Sequence, residues 1–353
     1  MRNKLLFTPK DIKPSIKDWK IVGVLNPAAI RRKDGKILLM LRVAEQHPQH
    51  GKSMSCPIIT SGDGFKTEKI HKTTIKGKMD NVLMLKDGTC RLTTISHVRQ
   101  AILSKDGFYI ESIDDHPTFH GTASEGQYGI EDPRITKIGD KYVMTYVAVS
   151  INEGVSTALA ISKDLENWKR KGIVFREQNK DVVLFPEKIN GKYVALHRPE
   201  GFFEFSKPSI WVSYSPDLVY WGREKSIIQP RENSWESERI GGGTPPIKTK
   251  AGWLEIYHGV KKVRDRNVYS AGAVLLDKKN PEKILARSRP NKPLFFPKEK
   301  FEKKGFVSNT VFPTGIVPDG KDLLIYYGAA DSVVAVKKLK LKNILNSMEY
   351  FRG

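Results

Sequence analysis

The sequence predicts an all-β fold, and within that class a five-bladed β-propeller with a central active-site channel. Strand-like runs such as "KILLMLRV", "KYVMTYVAV" and "DLLIYYGAA" each follow a turn signal, "KDG", "IGD" or "PDG". The helix that the pattern favours most is short, at about 339–350 near the C-terminus. We therefore expect residues 1–353 to form a single β domain.

A repeated unit supports the propeller. A proline followed two or three residues later by isoleucine precedes five of the runs, at Pro27, Pro133, Pro186, Pro245 and Pro313. The step from Pro133 to Pro186 is 53 residues, and so is the step from Trp168 to Trp221 in the turns "SKDLENW" and "SPDLVYW". A β repeat of about 40–60 residues is typical of a four-stranded blade. A two-sheet sandwich does not account for the shared step.

The number of blades follows from the same units. Five proline-led runs predict five blades. The segment "DNVLMLKDGTCRLTTIS" resembles a further unit that lacks the proline. It is either a sixth blade or an elaboration of the first.

Charge and composition limit the classes of partner. The net charge is +21, which favours anionic partners. The excess is mostly lysine spread along the chain, and nucleic-acid-binding motifs are missing, so we expect no nucleic-acid partner. The sequence shows two cysteines and neither a signal-peptide core nor an apolar run of membrane-spanning length. A cytoplasmic protein without a membrane partner is expected, and a homo-oligomer stays possible.

The stretch "GIEDPRIT" places two acids, a proline and an arginine at the start of a strand, where Asp and Pro are disfavoured. In a propeller the leading ends of the inner strands converge on the channel, so residues beside the repeated prolines should meet there. One acid surrounded by cations would then form a pocket for an anionic reactant. The sequence contains no GxSxG, Walker, GxGxxG or HExxH motif and no evident metal cluster.

These segments resemble glycoside hydrolase family 130, which comprises β-mannoside phosphorylases and related hydrolases. The matching segments are "NPAAI", "GIEDPRITKIGDKYVMTYVAVS", "NKDVVLFPEKINGKYVALHRP", "GGGTPPIKTKAGWLEIYHGV" and "VFPTGIV" with "DLLIYYGAADSV". They span the chain from about Val24 to Val336. The resemblance implies a five-bladed propeller and phosphorolysis without a metal or other cofactor, with inorganic phosphate as co-substrate.

The resemblance also implies residue roles. Asp132 is expected to be the general acid, passing its proton through a mannose hydroxyl. Its neighbour Glu131 faces the other way on the strand and is expected to contact the sugar or orient a nearby strand. The residues expected to hold phosphate are Arg42, Arg134, Lys188, His197 and Arg198. The further residues expected to contact the sugar are Asn26, Asp181, Tyr257, His258 and Asp331.

The expected reaction is inverting, reversible phosphorolysis of β-1,2-mannobiose or longer β-1,2-oligomannosides to α-mannose 1-phosphate. A phosphorylase needs one acid plus cations, because phosphate is already an anionic nucleophile. A hydrolase of the same fold would instead need a second carboxylate as base, and Glu187 and Glu200 are available. A non-catalytic carbohydrate-binding propeller is the alternative from another class. The loops at "HPQHGKSMS" and "DRNVY" are expected to border the acceptor site.

Overall fold

The computed structural model describes residues 2–49, 51–62, 64–201 and 205–351. Over these residues the chain is almost entirely β-structure, arranged mainly in five antiparallel sheets of four or more strands. The all-β prediction is confirmed. None of the helices in the described ranges is long and apolar enough to cross a membrane.

The first large sheet carries an insertion between its second and third strands. The chain begins with β1 (Arg2–Phe7) and a 3-10 turn (Pro9–Asp11), then forms β2 (Lys20–Arg31) and β3 (Ile37–Gln46). The insertion, residues 47–94, contains β4 (Ser53–Ile59), β5 (Phe65–His71), a 3-10 turn (Lys72–Thr74), β6 (Ile75–Met79), β7 (Val82–Leu85) and β8 (Cys90–Leu92). The sheet is completed by β9 (Ile95–Leu103) and β10 (Ile110–Ile113).

The structure of the insertion shows whether the additional repeat-like segment is a separate blade. Its strands form two small sheets with their own apolar cluster around Cys56, Ile70 and Leu83, while β9 pairs with β3. The segment "DNVLMLKDGTCRL" is therefore an elaboration of the first large sheet, and not a sixth blade.

The second and third sheets are simple four-stranded meanders. The second contains β11 (Ile130–Ile138), β12 (Lys141–Ser150), β13 (Gly154–Ser162) and β14 (Lys169–Phe175). The third contains β15 (Asn179–Leu184), β16 (Tyr193–Pro199), β17 (Ile210–Ser215) and β18 (Gly222–Ile228).

The last two sheets bring the chain ends into the β-structure. The fourth contains β19 (Arg239–Gly241), β20 (Ile247–Lys248), β21 (Trp253–Val263), β22 (Arg266–Leu276) and β23 (Ile284–Ser288). After α1 (Lys300–Lys303), the fifth contains β24 (Val311–Asp319), β25 (Asp322–Ala329) and β26 (Val333–Lys340), with β1 as its outer strand. Then come α2 (Leu341–Ser347) and β27 (Met348–Tyr350), which pairs with β23.

The C-terminal helix is shorter than predicted. Residues 339–340 end β26 and residues 348–350 form a strand, so only 341–347 are helical. The reason is the open edge of β23, where Ser288 pairs with Met348 and draws the backbone into the ladder.

The tryptophan turns of the second and third sheets have the same structure. In each, a serine hydroxyl accepts the backbone N–H of a leucine three residues on, Ser162 with Leu165 and Ser215 with Leu218. The indole N–H of Trp168 then donates to the Leu165 carbonyl at 3.1 Å, and that of Trp221 to Leu218 at 2.9 Å. The 53-residue step between tryptophans therefore marks a real structural repeat.

Five apolar clusters fill the spaces between successive sheets, including the space between the fifth sheet and the first. In β3, Leu39 and Leu41 face one neighbouring sheet and Leu38 and Met40 face the other, because side chains alternate along a strand. One pair from each cluster shows which sheets it joins. In order from the first and second sheets to the fifth and first, these pairs are Met40 with Met144, Val143 with Leu184, Leu196 with Trp253, Ile256 with Ile325, and Tyr326 with Leu39. Each large sheet thus packs against two others, and their first strands meet on one side.

Candidate functional site

A cavity of about 500 Å³ lies where the first strands of the sheets meet. Seven residues predicted from the sequence line it: Asn26, Arg42, Glu131, Asp132, Asp181, Arg198 and Asp331. They come from four of the five large sheets or the turns that join their strands, so residues 305 positions apart in sequence share one space. The expected convergence of strand ends is observed for this set.

A repeated backbone feature turns three of these side chains into the cavity. The register of the inner strand shifts between Leu25 and Ala28, between Glu131 and Arg134, and between Lys180 and Val183. The residues inside these bulges are Asn26 (φ 44°), Asp132 (φ 49°) and Asp181 (φ 59°). Asn and Asp tolerate this left-handed conformation better than other side chains. This explains why acids and amides stand where a regular strand would disfavour them.

Asp132 is held by three residues from the first two sheets. Its Oδ1 accepts hydrogen bonds from Asn26 Nδ2 and from an Arg42 guanidinium nitrogen, both at 2.9 Å. Arg42 also donates to Glu131 Oε1 at 2.6 Å, so one guanidinium fixes both neighbouring carboxylates. Arg134 donates to the backbone carbonyl of Asp132 at 2.9 Å from below. The carboxyl is therefore firmly placed, and Arg42, which was predicted to hold phosphate, pairs with both acids. Glu131 and Asp132 do not face opposite ways as expected, because the bulge interrupts the alternation of the strand.

The two carboxyls Asp132 and Asp331 differ in protonation. Burial acts to raise the pKa of Asp132, but the guanidiniums of Arg42 and Arg134 and the Asn26 hydrogen bond outweigh it and hold the pKa below its usual value. Burial raises the pKa of Asp331 to about 7, with Arg42 opposing the rise and Asp132 and Glu131 adding to it. At neutral pH Asp132 is thus anionic beside a partly protonated Asp331.

The third and fourth sheets bring further cations to the cavity. Arg198 is in an ion pair with Asp181 at 2.7 Å and with Glu200 at 2.8 Å, so its charge is balanced. Lys180 and Arg239 also line the cavity. Within the described residues neither has a carboxylate oxygen within 4.0 Å, and Arg239 donates to the Tyr269 hydroxyl. These two side chains can therefore accept an anion from solution.

Arg134 lies beneath the cavity and is almost fully buried. It bonds the Asp132 carbonyl, the Gly243 carbonyl at 3.3 Å and Asp181 Oδ1 at 3.3 Å. It does not line the cavity, so its place is below the two acids that it joins. Arg134 was predicted to contact phosphate directly, but in the structure it supports Asp132 and Asp181 from below the cavity.

Lys188 does not lie at the cavity, contrary to the prediction. It is exposed, four residues beyond the end of β15, with its ammonium 4.4 Å from the centre of the Tyr193 ring. The cavity residues of this strand, Lys180 and Asp181, stand at its beginning. Pro186 is therefore not equivalent to Pro133; the bulge aligns Asp181 with Asp132, and Lys180 takes the cationic position.

His197, Tyr257 and His258 are fully buried and do not line the cavity. Burial lowers the pKa of His197 to about 3, and the neutral ring bonds Asn179 and stacks on Phe175, so it supplies no charge for phosphate. The Tyr257 hydroxyl donates to Glu236 at 2.5 Å, away from the cavity.

His258 stands directly behind the cavity lining. Its Nε2 lies 3.1 Å from an Arg198 guanidinium nitrogen, and its ring lies 4.3 Å from that of Phe312, a cavity residue. Gly241 completes this packing, since a Cβ there would lie 2.4 Å from Asp181 Oδ2 and 2.6 Å from His258 Cε1. His258 therefore positions Arg198 and does not itself face the cavity.

Sequence reasoning missed several lining residues, among them Lys180, Arg239, Met79 and Phe306. Phe312 stands beside the repeat proline Pro313, as expected, and Glu200, named only as a base available to a hydrolase, is an ion-pair partner of Arg198. Lys180 had a signal, because it adjoins Asp181 in "NKDVVLF". Asn267 and Tyr269 belong to "DRNVY", which was expected as a loop at the acceptor site and instead forms, from Arg266 onward, the start of β22. The segment "HPQHGKSMS" contributes no lining residue among those described. No group of His, Cys, Asp and Glu suited to a metal ion is present in the described part of the chain.

The chain resembles known proteins over most of its length. A family profile described as β-1,4-mannooligosaccharide phosphorylase, that of glycoside hydrolase family 130, matches residues 99–350. The β-1,2-mannobiose phosphorylase of Listeria innocua is 36% identical over 98% of this chain and 96% of its own length. A 1,2-β-oligomannan phosphorylase of Thermoanaerobacter is 43% identical over 71% of this chain and 80% of its own.

A solved structure extends the likeness to the fold. The complex of the Listeria innocua enzyme with β-1,2-mannobiose superposes with a TM-score of 0.89 at 35% identity, covering 98% of this chain and 99% of the other. Sequence and structure agree over nearly the whole length, and the chain belongs to glycoside hydrolase family 130.

Proposed function

We propose that the protein catalyses reversible phosphorolysis of β-1,2-mannosides, most simply β-1,2-mannobiose, with release of α-mannose 1-phosphate. The observation that carries the proposal is the pair Lys180 and Arg239, two cavity cations without a carboxylate partner among the described residues. They share the cavity with Asp132, the acid in the bulge of the second sheet. The likeness to relatives named β-1,2-mannobiose and 1,2-β-oligomannan phosphorylases supports the same linkage.

In the proposed reaction a phosphate oxygen attacks the anomeric carbon while the glycosidic C–O bond breaks on the opposite face. The new C–O bond has inverted configuration, so a β-mannoside gives an α-phosphate. Lys180, Arg239 and the Tyr269 hydroxyl hold the phosphate, with Arg198 fixed behind them by Asp181 and Glu200. Phosphate is already anionic, so no carboxylate base is required.

The leaving oxygen needs a proton, and Asp132 supplies it, with a mannose hydroxyl as relay as the family resemblance implies. Asn26 and Arg42 stabilise the carboxylate that remains. Before the reaction the carboxyl must be protonated, although Arg42, Arg134 and Asn26 hold its pKa below the usual value. A bound phosphate anion and the exclusion of water raise that pKa, since a nearby negative charge and burial both favour the neutral acid.

We also propose that the fold is a five-bladed propeller. Five sheets, five apolar clusters between neighbouring sheets, and β1 completing the last sheet support a five-bladed propeller. A cytoplasmic location and a homo-oligomer stay predictions from the sequence.

The test is incubation with β-1,2-mannobiose, with and without phosphate, in parallel with β-1,4-mannobiose. We expect mannose 1-phosphate and mannose in equal amounts only when phosphate is present, and the α-anomer by NMR of the first product. Equal release of free mannose without phosphate would replace the phosphorylase with a hydrolase. Faster cleavage of the β-1,4-linked sugar would overturn the linkage assignment.

A further inference from the structure

Two apolar side chains at the cavity have no role in the chemistry described above. Among the large hydrophobic side chains that are exposed in the described structure, Met79 (63% exposed) and Phe306 (46%) line the cavity. Met79 belongs to the insertion, outside the residues matched by the family profile, and Phe306 belongs to the loop after α1. Exposed apolar groups within a polar cavity indicate a surface that a ligand covers.

The insertion reaches the cavity through the tip of the β6–β7 hairpin, Met79 to Val82. This tip is fixed from behind, because Asn81 Nδ2 donates to the Thr94 hydroxyl at 2.8 Å and the Thr93 N–H donates to the Asn81 carbonyl at 2.9 Å. Met79 is therefore presented by an anchored turn, with the exposed carboxylate of Asp80 next to it.

Phe306 is anchored beside Asp331. Its backbone N–H donates to the Ser332 hydroxyl at 2.8 Å, and the N–H of Val307 donates to the Ala330 carbonyl at 3.1 Å. The charge of Asp80 contributes to the raised pKa of Asp331, so the hairpin tip also lies near this carboxyl. Met79 and Phe306 thus flank the acid part of the cavity around Asp331.

The stereochemistry of the reaction indicates which reactant binds in this part of the cavity. Inverting displacement puts nucleophile and leaving group on opposite faces of the anomeric carbon. The nucleophile belongs with Lys180 and Arg239, so the leaving sugar belongs with Asp132, on the part of the cavity that Met79 and Phe306 border. A pyranose ring has apolar C–H faces and a hydroxyl rim, which fits an apolar pair beside a carboxylate.

We propose that Met79 and Phe306 form the binding site for the leaving sugar, the mannose unit that acts as acceptor in the reverse reaction, with Asp80 accepting its hydroxyls. This inference rests on the proposed function. Neither side chain takes part in proton transfer or phosphate binding. They determine the affinity for the acceptor and the preference among acceptors.

The experiment compares Met79→Ala and Phe306→Ala with the wild-type protein in the synthetic direction. We expect each variant to raise KM for the mannose acceptor by about tenfold, the loss expected when a well-covered apolar contact is removed. KM for α-mannose 1-phosphate and for phosphate should stay within about twofold, since those reactants bind elsewhere. Phe306→Leu should recover part of the acceptor affinity.

Two matched controls are available. Met84 on β7 and Phe296 are exposed and do not line the cavity, so Met84→Ala and Phe296→Ala should leave every KM unchanged. Calorimetric binding of β-1,2-mannobiose without phosphate gives a second readout that does not depend on turnover, and both cavity variants should bind it more weakly.

The inference is overturned if the cavity variants keep wild-type acceptor KM and wild-type affinity for mannobiose, or if KM for phosphate rises as much as KM for the acceptor. Failure of the proposed function is seen separately, in the wild-type protein, as cleavage that does not depend on phosphate. The calorimetric comparison still decides on the sugar site in that case.

Discussion

Asn26 and Asp132 lie 106 residues apart, share a left-handed backbone conformation and are joined by a hydrogen bond of 2.9 Å from Asn26 Nδ2 to Asp132 Oδ1. Each occupies the bulge of the first strand of its sheet. The same structural position thus supplies an acid in one sheet and the amide that orients it in the next. Gly328 leaves room for the amide, since a Cβ there would lie 2.0 Å from Asn26 Oδ1.

Asp132→Asn should reduce kcat by about 10²–10⁴-fold, the usual contribution of general acid catalysis, because the amide cannot donate the proton in the same way. Asn tolerates the left-handed φ, so the thermal midpoint should stay near the wild-type value. Initial rates of phosphorolysis and a thermal denaturation curve check both parts. A variant with wild-type kcat would remove Asp132 from the mechanism.

Lys180→Ala should raise KM for phosphate by about 10–100-fold, because a hydrogen-bonded charge on an anion is lost. Lys188→Ala is the matched control from the same sheet, exposed and outside the cavity, and should change this KM by less than about twofold. Steady-state kinetics with varied phosphate compares them. The reverse order of effects would restore Lys188 to the phosphate site.

Gly241→Ala should impair both stability and activity. The new methyl group would lie 2.4 Å from Asp181 Oδ2, and both Asp181 and the adjacent His258 are buried and cannot retreat freely. We expect a loss of about 1–3 kcal/mol in the free energy of unfolding and a reduced kcat/KM. Gly222→Ala, where a Cβ meets nothing within 4 Å, is the control. Equal behaviour of the two variants in denaturant titrations would contradict the packing described.

Asp331→Asn should stabilise the protein at alkaline pH. The pKa of Asp331 is raised to about 7, so the folded state keeps a proton that the unfolded chain loses near pH 4, and stability falls as pH rises through that window. Above pH 7 the buried charge remains as a penalty that the amide removes, a gain of about 1–2 kcal/mol after allowance for solvent screening. At pH 4 the gain should vanish. Denaturation at pH 4, 6 and 8 measures it, and a gain independent of pH would refute the titration.

The sequence predicted the all-β fold and most of the acid part of the cavity, because polar residues at strand starts are conspicuous in "NPAAI" and "GIEDPRIT". Lys188 was wrongly predicted to lie at the cavity because Pro186 was taken as the structural equivalent of Pro133. The bulges instead make Asp181 the counterpart of Asp132, and a bulge is a backbone property that proline does not mark in every strand.

Arg239 and Tyr269 were not predictable in the same way. The fourth sheet begins with the three-residue strand β19, whose pairing with β21 shows no register shift, so it breaks the repeat on which the reasoning depended. Met79 and Phe306 come from the insertion and from the loop after α1, whose positions over the cavity depend on anchoring to Thr94 and Ser332. Such long-range hydrogen bonds leave no local pattern.

The pairing of β1 with β26 has a consequence for biosynthesis. Residues 2–7 are synthesised long before their partners at 333–340, so β1 must wait until the four sheets between them in sequence have been made. Once β26 has formed, its edge is open to pairing with another molecule until β1 docks on it. A change that weakens these few residues would therefore lower the yield of folded protein before it altered the enzyme that does fold.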